Sequence, residues 1–319
     1  VTANRTIGEV GERALLAEFA TSAASTPDVV VGPGDDAAVI EPGARVLSVD
    51  TAVADRHFRL DWSSPEQIGA RAVVAAVADI AAMGGRPTGV LIALAAPTTA
   101  SADLVVGINR GAAGRAADLG AAVLGGDLVA ASEVSVSITA VGVLDGVAPV
   151  RLGGARVGDV LAVSGPLGAS AAGYAVLASG DRALLDDPAL RAAVDAFRCP
   201  APDPAQGPVA ARAGAHALTD VSDGLVEELG LLCAASGVGV DVEAGAIPIT
   251  AAAAAAADRL GDDPQRWALA GGEDHELLGA FAAGDVPPGW MVIGAVVAAR
   301  PDPVRIDGSP PRVRGWRSV

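Results

Sequence analysis

The chain has 319 residues, a formal net charge of −16, 51% hydrophobic residues and only 3% aromatic ones. That length suits two domains better than one, and the apolar share is too high for a disordered chain. The acidic balance excludes a nucleic-acid surface, which needs a basic stripe to face phosphates. An acidic chain can still hold a phosphorylated ligand when divalent metals stand between its carboxylates and the phosphates. All 22 lysine-plus-arginine positions are arginine, so there is no P-loop, Schiff-base or kinase-strand lysine. Cys199 and Cys233 are the two cysteines, too few for a disulfide framework or a zinc site. No apolar run reaches membrane-span length and the N-terminus lacks a signal-peptide layout, so a reducing cytoplasm is the expected compartment.

In chain order, apolar Ile7, Val10, Leu15, Leu16 and Phe19 predict a short helix over 6–20. Strand pieces are expected at 29–31 and 37–40, on either side of Gly32-Pro33-Gly34-Asp35-Asp36, and a strand over 45–49 ends at Asp50-Thr51. Ser64 as N-cap, Pro65 at the first helical position and Gln67 closing a capping box predict a long helix, terminated by Gly84-Gly85. A strand over 89–95, a helix over 101–119, a short strand over 121–124 leading into a Gly125-Gly126-Asp127 turn, and a β-branched strand over 134–143 follow. The pattern is α+β rather than strict βαβ alternation.

Near Arg151 the character changes, and Gly153-Gly154 with Gly158-Asp159 read as a hinge. Two domains are expected, 1–149 and 150–319. The second holds strands at 160–163, into Asp220, and at 238–242, 276–281 and 291–297. Its helices are expected at 168–178, 223–235 and around the alanine run at 251–257, with a proline-rich connector over 199–208.

Six aspartates carry the chemical interest: Asp36, Asp50, Asp79, Asp127, Asp220 and Asp223. Five stand beside Gly, Ser, Thr or another Asp at what read as strand-to-turn junctions, where backbone can approach a ligand. Asp79 instead sits inside an Ala/Val helix. Carboxylates that gather raise each other's pKa, so convergence would require cations, and hard oxygen ligands with few His or Cys select Mg²⁺ over zinc. A lone aspartate at a turn is ordinarily a turn former or a cap, and spacing alone leaves both readings open. Two other motifs fail. Gly32-Pro33-Gly34-Asp35-Asp36-Ala37 has dinucleotide spacing, but Glu41-Pro42-Gly43 arrives where the pyrophosphate-binding helix should run. Asp220-Val221-Ser222-Asp223-Gly224 has its glycine one position early for a calcium loop. Among the histidines, His57 is a ligand-contact candidate, His216 reads as structural, and His275 ends Gly271-Gly272-Glu273-Asp274-His275, either a tight turn or a substrate loop. Trp316 is a packing anchor or a stacking surface.

Taken together and in order, Gly32-x-Gly34-Asp35-Asp36-Ala37, Asp50-Thr51-x5-His57-Phe58, Asp79-Ile80-Ala81-Ala82-Met83-Gly84-Gly85, Gly125-Gly126-Asp127, Asp220-x-Ser222-Asp223-Gly224-Leu225 and Gly271-Gly272-Glu273-Asp274 resemble the thiamine-monophosphate kinases. The likeness runs from about Ile7 to Trp316. It implies the aminoimidazole-ribonucleotide-synthetase-like fold, two α+β domains with mixed sheets covered by helices, paired as a homodimer through the N-terminal domains. It implies ATP as co-substrate, several Mg²⁺ ions, and in-line phosphoryl transfer onto the phosphate of thiamine phosphate. Asp36, Asp50, Asp79, Asp127, Asp220 and Asp223 would hold the metals, with Ser48 and Val49 contributing. Gly126, Asp127, Arg151 and Ser222 would line the ATP phosphates, and His57, Glu273 and Trp316 would contact thiamine phosphate. The acceptor phosphate is already anionic, so no general base is implied, and Arg151 is the candidate charge stabiliser. Three positions depart from the pattern: Ala169 where aspartate is common, His275 for tyrosine, and Gly279 for an aromatic residue. The alternatives are another ATP-using member of that superfamily or a non-catalytic metal- and nucleotide-binding regulator.

Overall fold

The computed structural model describes residues 6–10, 15, 18–19, 26–27, 29–31, 39–40, 43 and 45–315. Contacts divide the chain into two compact units, Val1–Ile80 with Pro87–Val143, and Ala81–Arg86 with Leu144–Val319.

The first unit opens with the one-turn helix α1 (Ile7–Val10); most of the remaining helix expected over 6–20 lies outside the described residues. Strands β1 (Val29–Val31) and β2 (Val39–Ile40) pair antiparallel, and Asp36 between them is outside the described residues. The main sheet is ordered β3-β6-β4-β5, from β3 (Arg45–Val53), β4 (Arg86–Ala96), β5 (Ala122–Ala130) and β6 (Ser135–Val143). Helices α2 (Pro65–Ala82) and α3 (Ala102–Asp118) cover one of its faces. Ile68, Val73, Val77 and Ile80 of α2 and Val105 and Ile108 of α3 share one buried cluster with Ile92, Leu94, Val136 and Ile138 of the sheet. Each such side chain contributes about 1.5–3 kcal/mol by leaving water. The capping box forms as read: Ser64 N donates to Gln67 Oε1 at 2.9 Å and Gln67 N to Ser64 Oγ at 3.3 Å.

The two helices touch through glycine. A β-carbon on Gly111 would overlap the Glu66 carbonyl, and one on Gly69 would overlap the Ile108 carbonyl. This backbone-to-backbone crossing is what a core of alanine and valine permits.

Two strands run further than the sequence indicates. β3 continues through Asp50 and Thr51 to Val53, paired residue by residue with β6. β5 runs through Gly125-Gly126-Asp127, paired in parallel with β4, after a bulge at Leu124. Asp50 and Asp127 are therefore within strands and not at turns. The reason is the ladder: once β4 and β6 offer partners, leaving those backbone groups unpaired would cost more than glycine's weak strand preference. The bulge also sets direction. Val123 and Leu128 both face the helix-covered core although five positions apart, which an unbroken period of two would forbid.

The second unit holds a six-stranded sheet ordered β12-β9-β11-β7-β10-β8. Its strands are β7 (Val160–Val163), β8 (Ala217–Asp220), β9 (Val238–Val242), β10 (Leu277–Phe281), β11 (Met291–Ala298) and β12 (Val304–Ile306), antiparallel except for β12 beside β9. Along β7 the faces alternate. Leu161 and Val163 join a cluster with Leu225, Leu229 and Leu232 of helix α8 (Leu225–Ser236), and Ala162 joins Phe281, Trp290 and Ala210 of helix α7 (Gln206–Arg212). The sheet is thus buried on both faces. The remaining helices are α4 (Ala169–Ser179), α5 (Arg182–Leu185), α6 (Arg191–Arg198), α9 (Ala251–Leu260) and α10 (Pro264–Ala270). Of these, α5, α6, α10 and strand β12 were not expected from the sequence, and α7 starts inside the proline-rich connector. At the Gly153-Gly154 segment, Gly154 N donates to Ser236 Oγ at 3.1 Å, and Ala155 is buried in the core of this unit. Among the described residues, no helix is long and apolar enough to cross a membrane.

Candidate active site

In the first unit, Asp79 lies in the last turn of α2, where Ser48 Oγ of β3 donates to Asp79 Oδ2. Ser48 and Asp50 share the side of β3 on which Val46 and Ala52 pack against the core, so strand alternation turns both toward the helix layer. The exposed Asp50 carboxylate accepts from Thr51 N at 2.8 Å. Val49 points the other way and is 65% exposed. On β5, Leu128 turns inward and the exposed Asp127 outward, its Oδ1 accepting from Leu128 N at 2.9 Å. Gly126 lies against β4, where a β-carbon would overlap the Ile92 carbonyl. Past the end of β3 the chain turns back through Asp55, at φ 61°, and His57 Nδ1 accepts from Val53 N at 3.1 Å. In the neutral ring this places the proton on Nε2, which leaves that nitrogen as a donor.

In the second unit, β8 ends on Asp220, which is buried. Two segments meet there. Residues 221–224 lead into α8, and residues 271–276 lie along them: Glu273 N donates to Ser222 O at 2.7 Å, His275 N to Val221 O at 3.0 Å and Val221 N to Glu276 O at 2.7 Å. Gly272, Glu273 and His275 all have positive φ, at 69°, 60° and 56°. Left-handed Glu and His each cost about 1–3 kcal/mol and persist only where surroundings impose them. A side chain at position 272 would in addition overlap the Ser222 carbonyl.

The charges here are unusual. His275 Nδ1 donates to Asp220 Oδ2 at 3.1 Å, and Nε2 stands 3.5 Å from Glu273 Oε2 without hydrogen-bond geometry. Burial alone would lower the imidazole pKa, but the Asp220 and Glu273 carboxylates outweigh it and lift it to about 10. Glu228, in the first turn of α8, accepts from Asp223 N at 3.2 Å and Ser222 Oγ at 3.5 Å. Burial, and after it the negative charge of Asp220, push the Glu228 carboxyl up to about 7. Asp274 accepts from Gly168 N at 2.7 Å and Ser170 N at 3.1 Å, so it caps α4 from a distant segment, since Gly168 has no side chain to do so. Burial raises its carboxyl to about 6 despite those bonds. Asp274→Ala is expected to cost about 2 kcal/mol in chemical denaturation, and Asp274→Asn, which keeps one acceptor, less than half of that. Equal losses for the two would deny the capping role.

Of the expected site positions in the first unit, Ser48 reaches Asp79 of α2 and Asp50 shares the Ser48 side of β3, whereas Val49 and Asp127 face the other side of the sheet. Asp220, Ser222, Asp223 and Glu273 are drawn together in the second unit. Arg151 is exposed, its carbonyl accepting from Leu218 N at 3.1 Å. Asp36 and Trp316 lie outside the described residues. Among the described residues, no three His, Cys, Asp or Glu side chains form a group that could hold a metal ion by themselves. His216 is structural, as its sequence setting indicates: its Nδ1 lies 2.9 Å from Asp159 Oδ2. Sequence reasoning missed Glu228 and the cap at Asp274. The available signal for Glu228 was an acidic pair in the first turn of a helix that follows an Asp-rich loop; for Asp274 there was none, because its partners are 106 and 104 residues away.

Residues 34–144 match the N-terminal domain family of the AIR synthase related proteins, and residues 156–302 match the C-terminal one. The thiamine-monophosphate kinase of Mycobacterium tuberculosis (strain CDC 1551 / Oshkosh) is 42% identical over 99% of this chain and 94% of its own length. That of Corynebacterium glutamicum is 41% identical over 98% and 95%. The solved structure of AaThiL complexed with AMPPCP and TMP superposes with a TM-score of 0.80 at 26% identity, covering 99% of both chains. The chain is accordingly a member of the AIR synthase related proteins and, within them, of the thiamine-monophosphate kinase family.

Proposed function

We infer that this chain phosphorylates thiamine phosphate to thiamine diphosphate at the expense of ATP. The observation that carries this reading is the end-to-end match to AaThiL, a protein complexed with AMPPCP and TMP, across 99% of both chains. AMPPCP replaces the β–γ bridging oxygen of ATP by carbon, so it occupies an ATP site without transferring phosphate.

The donor chemistry fits magnesium. The residues read as ligands offer hard carboxylate and hydroxyl oxygens, and Mg²⁺ takes such oxygens together with waters and substrate phosphates. Asp36, Asp50, Asp79, Asp127, Asp220 and Asp223 would hold the ions, with the Ser48 hydroxyl and the Val49 backbone beside them; bound there, magnesium neutralises phosphate charge during transfer. Gly126, Arg151 and Ser222 would line the ATP phosphates. Gly126 lets a phosphate approach backbone, and Arg151 supplies a permanent cation for charge developing in transfer. His57, Glu273 and Trp316 would contact thiamine phosphate, His57 through its Nε2–H. The acceptor phosphate is an anion at neutral pH, so positioning and charge neutralisation suffice without a general base. Residues 1–149 and 150–319 would be the two working halves.

A coupled assay with Mg·ATP tests the reading: thiamine phosphate should be turned over and thiamine should be a poor acceptor. Strong phosphorylation of thiamine, or no turnover of thiamine phosphate, would overturn it.

Exposed apolar side chains on the first sheet support a homodimer. Leu47 and Val49 of β3 are each 65% exposed and Val129 of β5 is 50% exposed, and exposed apolar side chains of this kind mark interfaces when they are contiguous. A Leu47→Glu/Val49→Glu variant is expected to be monomeric by light scattering where the parent is dimeric; an unchanged mass would remove this surface from consideration. The free thiols of Cys199 and Cys233 support a reducing, cytoplasmic setting.

A further inference from the structure

His275 has no assigned part in the reaction, yet it is buried to 3% exposure between two carboxylates that have one. Its backbone is left-handed, and the loop that carries it is anchored at Glu273, Asp274 and its own amide. Such over-determined strain fixes the ring's direction. Asp220, at the end of β8, could otherwise rotate about two side-chain bonds. A carboxylate that must bind a hard cation needs its free oxygen aimed, and a donor on the other oxygen does that. In this lysine-free chain the Asp220 carboxylate forms its ion pair, among the described residues, with His275.

We propose that His275 is a positioning residue, whose Nδ1–H holds Asp220 Oδ2 so that Oδ1 is the oxygen presented to the magnesium–phosphate site. The proposal rests on the reading of Asp220 as a magnesium ligand. It also links that ligand to the loop bearing Glu273, since the same ring faces both.

Three variants separate the two ends of the imidazole. In His275→Asn the side-chain amide stands where Nδ1 stood and keeps the bond to Asp220. In His275→Gln the amide reaches toward Glu273 instead, and in His275→Phe neither contact survives. Two quantities are read: the Mg²⁺ concentration giving half-maximal activity, and calorimetric affinity for AMPPCP in the presence of Mg²⁺. Thermal melts check folding. His275→Phe and His275→Gln are expected to raise the Mg²⁺ requirement and weaken Mg·AMPPCP binding by about 10–100-fold, with His275→Asn within about 3-fold of the parent. A lowered melting temperature with parental Mg²⁺ dependence in His275→Phe would make the residue structural and overturn the proposal. Should His275→Phe not fold, His275→Asn and His275→Gln decide it, and equal Mg²⁺ dependence in those two overturns it. Asp220→Asn distinguishes the levels. Parental activity there overturns the magnesium reading itself, whereas an inactive Asp220→Asn beside parental His275 variants overturns only this inference.

Discussion

Asp127→Asn should lower kcat with Mg·ATP and thiamine phosphate by roughly 10²–10³-fold and leave the melting temperature unchanged. Asp127 is exposed on β5, its backbone is held by the ladder to β4, and its carboxylate accepts from its neighbour Leu128 N. Asparagine keeps that bond and removes the charge, so lost activity would report on the ligand site and not on folding. Asp220→Asn should be at least as damaging to activity but is harder to read. It takes one carboxylate from a buried pair with His275, and breaking such a pair costs about 3–5 kcal/mol when a partner charge is left uncompensated. Glu273 compensates in part at 3.5 Å, so the variant should fold with a lowered melting temperature. Activity within about threefold of the parent in Asp127→Asn would remove β5 from the metal site and with it the present arrangement of ligands.

The second large effect concerns stability. One substitution made at two glycines of helix α3 should act in opposite directions. Gly111→Ala places a β-carbon on the Glu66 carbonyl, and backbone cannot rotate aside as a side chain can. The α2–α3 crossing must open, at a cost of about 3 kcal/mol. Gly114, one turn on, is exposed, with nothing within 4 Å of the place a β-carbon would take. Gly114→Ala should therefore stabilise by about 0.8 kcal/mol through helix propensity and a smaller loss of backbone entropy. Urea denaturation measures both. Destabilisation at Gly114 or neutrality at Gly111 would mean that the helices do not cross on this glycine.

Local physics was readable wherever the interaction partner lies within one turn. Ser64, Pro65 and Gln67 announce the start of α2 because the capping box closes over three residues. Ser101 announces α3 for the same reason, its Oγ accepting from Asp103 N at 3.2 Å. The two-domain α+β class and the aspartate set follow from composition and from motifs in order. The extent of β3 and β5 was not readable, since the glycines and aspartates that look like turn formers pair with strands far along the chain. α10 escaped notice although Asp263 and Pro264 form a good start, because its seven residues are too few to show a period.

By itself, then, the amino-acid order determined the starts of α2 and α3, the absence of lysine, the acidic character and the motif set that marks the kinase family. These are properties of composition or of neighbours within a turn or so. Only the tertiary structure decided which aspartates end strands and which lie within them, that a bulge at Leu124 turns Asp127 outward, and that Asp220, His275 and Glu273 meet across 55 residues. Those outcomes depend on long-range pairing and burial, where the cost of leaving a backbone or charged group without a partner overrides any local preference.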